Sequence, residues 1–141
     1  MRRITEIIIH CADTPNGRKF HAADITRWHQ ERGWRTIGYH FVVCVDGSVE
    51  NGRGLEEIGA HAVGHNAHSV GICLIGRDRF TQAQWVSLSS LVSGLVAQFS
   101  NAKVLGHYHV DQHGKTCPNF DVSAWFSAGA PDERNVLEVG A

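Results

Sequence analysis

The run Ile4-Thr-Glu-Ile-Ile-Ile-His10 is a short apolar segment that ends in an imidazole. An apolar run of this length predicts a buried β-strand. In α/β sheets, functional side chains collect at the ends of strands. A lone histidine at a strand end is more often only half-buried, so His10 becomes a candidate site residue only if other residues support it.

The rest of the chain alternates between strand-like and helical patterns. Thr81 and Gln84 have the spacing of a capping box at the start of the longest predicted helix. Asp46-Gly47 between two β-prone runs predicts a hairpin. The predicted strands cover residues 4–10, 38–45, 48–51, 70–75 and 103–106, and the predicted helices cover residues 22–32, 82–100 and a segment after Asp121.

This order, β-α-β-β-β-α-β-α, predicts an α/β fold: a single domain with a central mixed sheet flanked by helices. We place the domain at residues 1–128. From Gly129 the sequence becomes polar and small, so residues 129–141 are expected to form a flexible C-terminal tail.

Composition limits the classes of function. The chain has 141 residues, 43% of them hydrophobic, and a formal charge of −1. This near-neutral charge argues against direct nucleic-acid binding. The N-terminal apolar run is too short for a signal peptide, and no stretch is long enough for a membrane span. We therefore expect a monomer made in a cytoplasm, with reduced thiols.

Residues 107–118, His-Tyr-His-Val-Asp-Gln-His-Gly-Lys-Thr-Cys-Pro, concentrate three imidazoles, one ammonium and one thiol. Thiolates and neutral imidazoles are zinc ligands, and catalytic zinc sites use three protein ligands plus water. This segment could supply Cys117 and one histidine, with His10 as the third ligand.

Chemistry alone does not decide which histidine accompanies Cys117. His107, His109 and His113 all remain possible, although His113 lies in a glycine-containing loop and has the context of a solvated residue. Lys115 could be an ordinary surface cation. Beside a zinc ion, however, its ammonium could sit where negative charge develops. Tyr39, in the predicted strand 38–45, could likewise be an ordinary structural residue, because aromatic residues are common in strands.

Several segments together resemble a known family, the zinc-dependent N-acetylmuramoyl-L-alanine amidases. This family includes small bacteriophage endolysins, cytosolic muropeptide-recycling amidases and peptidoglycan recognition proteins, and the resemblance is greatest to the phage endolysins. The segments that carry it span most of residues 4–126: residues 8–14, 25–34, 38–41, 46–49, 59–66, 69–74 and 106–121.

The resemblance implies one Zn²⁺ ion bound by His10, His107 and Cys117, with Tyr39 and Lys115 assisting catalysis. It favours His107 because the family's ligand histidine lies three residues before a β-branched residue, here Val110. One feature departs from the phage endolysins. The segment between Val110 and Cys117 is two residues longer, and the His107–Cys117 spacing instead resembles that of the recycling amidases.

The resemblance also implies a reaction and a biological role. The reaction is hydrolysis of the amide between N-acetylmuramic acid and L-alanine in peptidoglycan. The role is that of an endolysin from a phage or prophage, acting on the cell wall after holin-dependent release from the host cytoplasm. Residues 59–69 are expected to form one wall of the substrate groove through His61, Asn66 and His68.

Two alternatives come from the same resemblance. One is a non-catalytic peptidoglycan-binding module, a type of relative that lacks the cysteine ligand. The other is a regulator that binds a phage RNA polymerase. Only the family resemblance suggests this role, and no separate feature of the sequence supports it.

Overall fold

The predicted first strand forms an interior strand of a five-stranded sheet. The computed structural model describes residues 2–138. Within it β1, Glu6–Cys11, pairs in parallel with β4, Ser69–Leu74, on one side and with β6, Lys103–Gly106, on the other. The strand order is β3-β2-β4-β1-β6, where β2 is Phe41–Val43 and β3 is Val49–Asn51.

The helices are α1 (Ala22–Glu31), α2 (Gln82–Gln98), α3 (His107–Val110) and α4 (Val122–Ala128). The capping box predicted for α2 is present. The Thr81 hydroxyl accepts a hydrogen bond from the Gln84 N–H at 3.1 Å, and the Gln84 side-chain oxygen accepts one from the Thr81 N–H at 2.9 Å. Among residues 2–138, no helix combines the length and apolar character needed to cross a membrane.

The core lies between β1 and α2. Successive side chains of a strand point to opposite faces of the sheet. Ile7 and Ile9 therefore pack with Leu88 and Val92 of α2 in the larger apolar cluster. The same alternation directs His10 to the opposite face, although its side chain is still only 1% exposed.

The predicted α/β class and mixed sheet are confirmed. β2 and β3 form the antiparallel hairpin expected from Asp46-Gly47, while the other strand pairs of this sheet are parallel. The sequence pattern missed one short helix. Residues 107–110 form a helical turn directly after β6, and four residues are too few to show a helical period.

The prediction of a flexible tail from Gly129 disagrees with the structure as far as residue 138. Gly129 ends α4 in the left-handed conformation, at φ 72°. The chain then forms a 3-10 turn, Glu133–Asn135, and a strand β7, Val136–Leu137. This strand pairs in parallel with β5, Phe80–Thr81, which the sequence also did not reveal. Residues 139–141 lie outside the described part of the chain.

Buried polar contacts explain why this C-terminal segment docks. The Trp85 indole N–H donates to the Asn135 carbonyl at 3.1 Å. The buried Asn135 amide in turn donates to the carbonyls of Asp78, at 2.9 Å, and Asn119, at 3.3 Å. A polar composition suggested a solvated tail, but these tertiary partners satisfy the polar groups instead.

We predict that Asn135→Ala lowers the free energy of unfolding by about 1–3 kcal/mol, because two carbonyl groups lose their donor. Urea unfolding followed by tryptophan fluorescence measures this change. Ser127→Ala, at an exposed position of α4, is the control and should unfold at the wild-type urea concentration. Equal stability of all three proteins would contradict the docking of residues 132–138.

Candidate metal centre

Neighbouring strands bring two histidines together at one end of the sheet. His10 lies near the end of β1, and His107 follows the last residue of β6. The parallel register pairs Ile9 with Gly106, so the residues that follow them, His10 and His107, lie side by side. The two imidazole centroids are 4.4 Å apart.

Cys117 joins them from a segment ten residues further along. The Cys11 N–H donates to the Cys117 sulfur at 3.0 Å, and the Tyr108 N–H donates to the Cys117 carbonyl at 3.0 Å. These contacts hold the thiol against the end of β1. One ligand atom from each of His10, His107 and Cys117 lies within 4.8 Å of the others.

The electrostatic surroundings favour neutral imidazoles. Burial, with smaller contributions from His61, His107 and Lys115, lowers the pKa of His10 well below its usual value. Burial and the Lys115 charge likewise lower the pKa of His107. Neutral imidazole is the form that binds metals. The neighbouring Cys11 side chain and burial raise the pKa of the Cys117 thiol, although the hydrogen bond from the Cys11 backbone N–H opposes this shift. A coordinated cation would lower this pKa.

His61 contacts the centre directly. Its Nδ1 lies 2.8 Å from Nε2 of His10, and its Nε2 lies 3.1 Å from the Ser69 hydroxyl. Gly71 makes room for this ring, since a Cβ atom there would approach the imidazole to 2.6 Å. Burial, followed by nearby positive charges, lowers the pKa of His61 to about 3.

Tyr39 and Lys115 lie near this group, one beside His10 and one on an exposed loop. The Tyr39 ring centroid is 5.1 Å from that of His10, and burial raises the pKa of its phenol well above the usual value. Lys115 is exposed, and its backbone N–H donates to the Asp111 carboxylate at 2.9 Å. Asp111 also accepts from the His113 N–H at 2.8 Å, so it fixes the bend of the loop.

The other histidines of residues 107–118 lie apart from this group. His109 is exposed, and its Nδ1 accepts a hydrogen bond from the Gly106 N–H at 2.9 Å. His113 is exposed on the loop. The structure therefore places His107, rather than either of these, beside His10 and Cys117.

The three residues predicted to line a substrate groove have different surroundings. His61 lies at the candidate metal centre. The Asn66 side-chain oxygen accepts from the backbone N–H groups of His61 and Ala62, at 2.8 and 2.9 Å, and so holds the loop closed. His68 contacts Glu6, at the opposite end of β1. Asn66 therefore contacts the His61 backbone, whereas His68 lies at the other end of β1, and their assignment to a substrate groove stays a prediction.

Sequence reasoning did not identify His61 as the partner of His10, nor Asp111 as the residue that shapes the Lys115 loop. A weak signal for the first was present in Gly71, because glycine inside a buried strand often marks a close approach by another group. No sequence signal pointed to Asp111, whose partners are backbone groups.

The donor set fits a zinc ion. Two neutral imidazoles and one thiol converge on one point, and all three are nitrogen or sulfur ligands of the kind that zinc prefers. Such a set, at the carboxyl end of an interior parallel strand in an α/β domain, is typical of a metallohydrolase.

Comparisons with known proteins agree with this class. A family model described as N-acetylmuramoyl-L-alanine amidase matches residues 1–120. The endolysin of Escherichia phage T7 is 38% identical over 128 residues, covering 85% of this chain and 83% of the relative. The endolysin of Klebsiella phage KP32 is 37% identical over 130 residues, covering 86% and 85%.

Solved structures show the same fold. The N-acetylmuramoyl-L-alanine amidase LysC from Clostridium intestinale has a TM-score of 0.80 at 29% identity, covering 92% of this chain and 87% of that one. Drosophila peptidoglycan-recognition protein LB has a TM-score of 0.77 at 28% identity, covering 99% and 86%.

The chain belongs to the N-acetylmuramoyl-L-alanine amidase family. It is an amidase, and the predicted hydrolysis of the amide that joins N-acetylmuramic acid to L-alanine in peptidoglycan is confirmed at the level of the family.

We predict that the metal-free protein loses stability as the pH falls below about 6.5, the ordinary histidine pKa. His10 and His61 stay neutral in the fold, whereas both bind a proton in the unfolded chain. The unfolded state then holds more protons, so each group costs up to about 1.4 kcal/mol per pH unit, until the pH reaches its folded pKa. Urea unfolding at pH 7 and pH 5 measures the loss.

His61→Gln should flatten this pH dependence, because one of the two buried titrating groups is removed. Ser127→Ala, at an exposed position that does not titrate, is the control and should leave the dependence unchanged. An identical pH dependence in wild type and His61→Gln would show that His61 binds protons equally well in the folded and unfolded states.

Proposed function

We propose that this amidase is a zinc-dependent endolysin of a phage or prophage, with His10, His107 and Cys117 as its zinc ligands. The observation that carries the proposal is the convergence of three donors, from both ends of the chain, to within 4.8 Å at one end of the sheet. The cysteine also argues against a non-catalytic peptidoglycan-binding module, since relatives of that kind lack this ligand.

His61 is proposed to orient the first ligand. Because its Nδ1 engages Nε2 of His10, Nδ1 is the nitrogen of the His10 ring that remains for an ion. Partners that hold the second ring nitrogen fix the orientation of a ligand histidine and its tautomer. Ser69, at the other side of the His61 ring, extends this support into β4.

When bound, zinc activates water as a nucleophile and polarises a carbonyl group. The chain's own residues position the substrate and balance the charge. The Lys115 ammonium lies near enough to lower the pKa values of His10 and His107. We propose that the Lys115 ammonium stabilises the negative charge that develops on the oxygen of the scissile carbonyl. This stabilisation acts mainly in the transition state.

Tyr39 is assigned a hydrogen-bonding role. Its raised pKa keeps the phenol protonated at neutral pH, so the hydroxyl is a donor beside His10. A donor at this position can orient the attacking water or the amide carbonyl. Hydrolysis adds water across the amide, leaving a carboxylate on the lactyl group and a free amine on L-alanine.

The proposed setting follows from the phage relatives. Two of the most similar proteins are phage endolysins that match this chain over more than four fifths of their length. We infer that the protein is made in the host cytoplasm and reaches the wall after release that depends on a holin.

We predict that purified peptidoglycan releases free amino groups, but no new reducing sugar ends, when treated with the zinc-loaded protein. Only amide cleavage gives this product pattern. Chelation should abolish the release and added zinc should restore it. Cys117→Ser should lose zinc and activity and keep its circular dichroism spectrum. Full activity after complete zinc removal would overturn the metal assignment.

Lys115→Ala should retain one zinc ion per chain and reduce the turnover number about 10²–10³-fold, the typical effect of removing an oxyanion donor. Initial rates on soluble muropeptides, with zinc content from elemental analysis, test this. Lys19→Ala removes a second exposed lysine and should behave as wild type. Normal turnover by Lys115→Ala would remove the assigned role.

A further inference from the structure

A second cluster of metal-binding side chains lies at the opposite end of β1. Glu6 is the first residue of the strand, four residues before His10, and strand alternation places both on the same face of the sheet. With a rise of about 3.3 Å per residue, the two positions are roughly 13 Å apart. Ile8 lies between them and is fully buried.

Two histidines converge on the Glu6 carboxylate. His65 precedes the 3-10 turn Asn66–His68, and His68 is its last residue. In a 3-10 turn the side chains at positions i and i+3 eclipse, so both rings lie on one side. The same Glu6 oxygen, Oε1, lies 2.8 Å from His65 Nδ1 and 3.0 Å from His68 Nε2. One ligand atom from each residue lies within 4.8 Å of the others.

Backbone contacts hold this turn against the start of β1. The Thr5 N–H donates to the His68 carbonyl at 2.8 Å. The Arg2 guanidinium donates to the carbonyls of Asn66, at 3.2 Å, and Ala67, at 3.3 Å. The three side chains therefore project from a backbone that is already anchored, which reduces the conformational entropy lost when a ligand binds.

We propose that Glu6, His65 and His68 form a second divalent-metal site, distinct from the amidase centre formed by His10, His107 and Cys117. Two imidazoles and one carboxylate are a known ligand set for zinc, with the fourth position left to water. The three side chains are 16%, 30% and 40% exposed respectively, so the ion and its water reach them from solvent. Imidazole ligands also suit Co²⁺, Ni²⁺ and Cu²⁺.

The spacing requires only a small adjustment. Tetrahedral zinc with bonds of about 2.0–2.2 Å separates neighbouring ligand atoms by about 3.3 Å. The two nitrogen–oxygen distances would therefore open by a few tenths of an ångström. Partly exposed side chains can make such a change by small rotations, without moving the backbone.

A third group, His21, Cys44 and Glu50, is less suitable. Its Glu50 carboxylate already accepts a hydrogen bond from the Ala22 N–H at 2.7 Å, at the start of α1. Burial raises the pKa of the Cys44 thiol to about 12, which opposes formation of the thiolate. The Glu6 group contains no thiol and so has no such cost.

The experiment is a Co²⁺ titration of the metal-free, untagged full chain, followed by absorption spectroscopy and equilibrium dialysis. The Cys117 site should give an intense thiolate-to-cobalt charge-transfer band. The Glu6 site, with nitrogen and oxygen ligands only, should give weak d–d bands alone. We expect two Co²⁺ ions per wild-type chain, and one, with the charge-transfer band retained, for both Glu6→Gln and His65→Asn.

His21→Asn is the matched control and should still bind two ions, because it disrupts only the third group. A single ion in the wild type would overturn the proposal, whatever the variants do. So would loss of the second ion in His21→Asn together with its retention in Glu6→Gln. Loss of the charge-transfer band alone would instead count against the Cys117 site, so the two assignments fail separately.

Discussion

The parallel pairing of β1 with two strands from distant parts of the chain is the constraint on which the molecule depends. β4 lies on one side and β6 on the other, so β1 cannot slide by one residue without turning every side chain to the wrong face. This register buries Ile7 and Ile9 against α2 and at the same time directs His10 to the other face. Core packing and site geometry are therefore two consequences of one pairing.

Burial then determines the chemistry of the candidate centre. His10 and His61 are shielded from water, and their low pKa values keep both rings neutral. A hydrogen bond between two neutral rings needs one donor and one acceptor, so the contact couples their tautomers. The cost of placing these polar groups inside the protein is offset by the hydrogen bonds of His61 and would be offset further by a coordinated cation.

The sheet also separates two clusters of similar composition. Both lie on one face of β1, one at each end, and the buried Ile8 stands between them. The cluster at the carboxyl end contains a thiol and is nearly closed to solvent at His10. The cluster at the amino end contains a carboxylate and is partly open. These differences in donor type and exposure distinguish the amidase centre from the Glu6 group.

The sequence by itself determined the elements with strong local signals. The apolar run 4–10, the capping box at Thr81 and the Asp46-Gly47 hairpin all predicted correct elements, because hydrophobic periodicity and capping depend on neighbouring residues. The choice of His107 over His109 came from family resemblance. The tertiary structure alone placed His61 against His10, fitted its ring over Gly71 and docked residues 132–138 onto Trp85. Each of these contacts joins residues at least ten positions apart in the chain, beyond the reach of a local sequence pattern. No such pattern encodes which distant polar group will satisfy a buried partner.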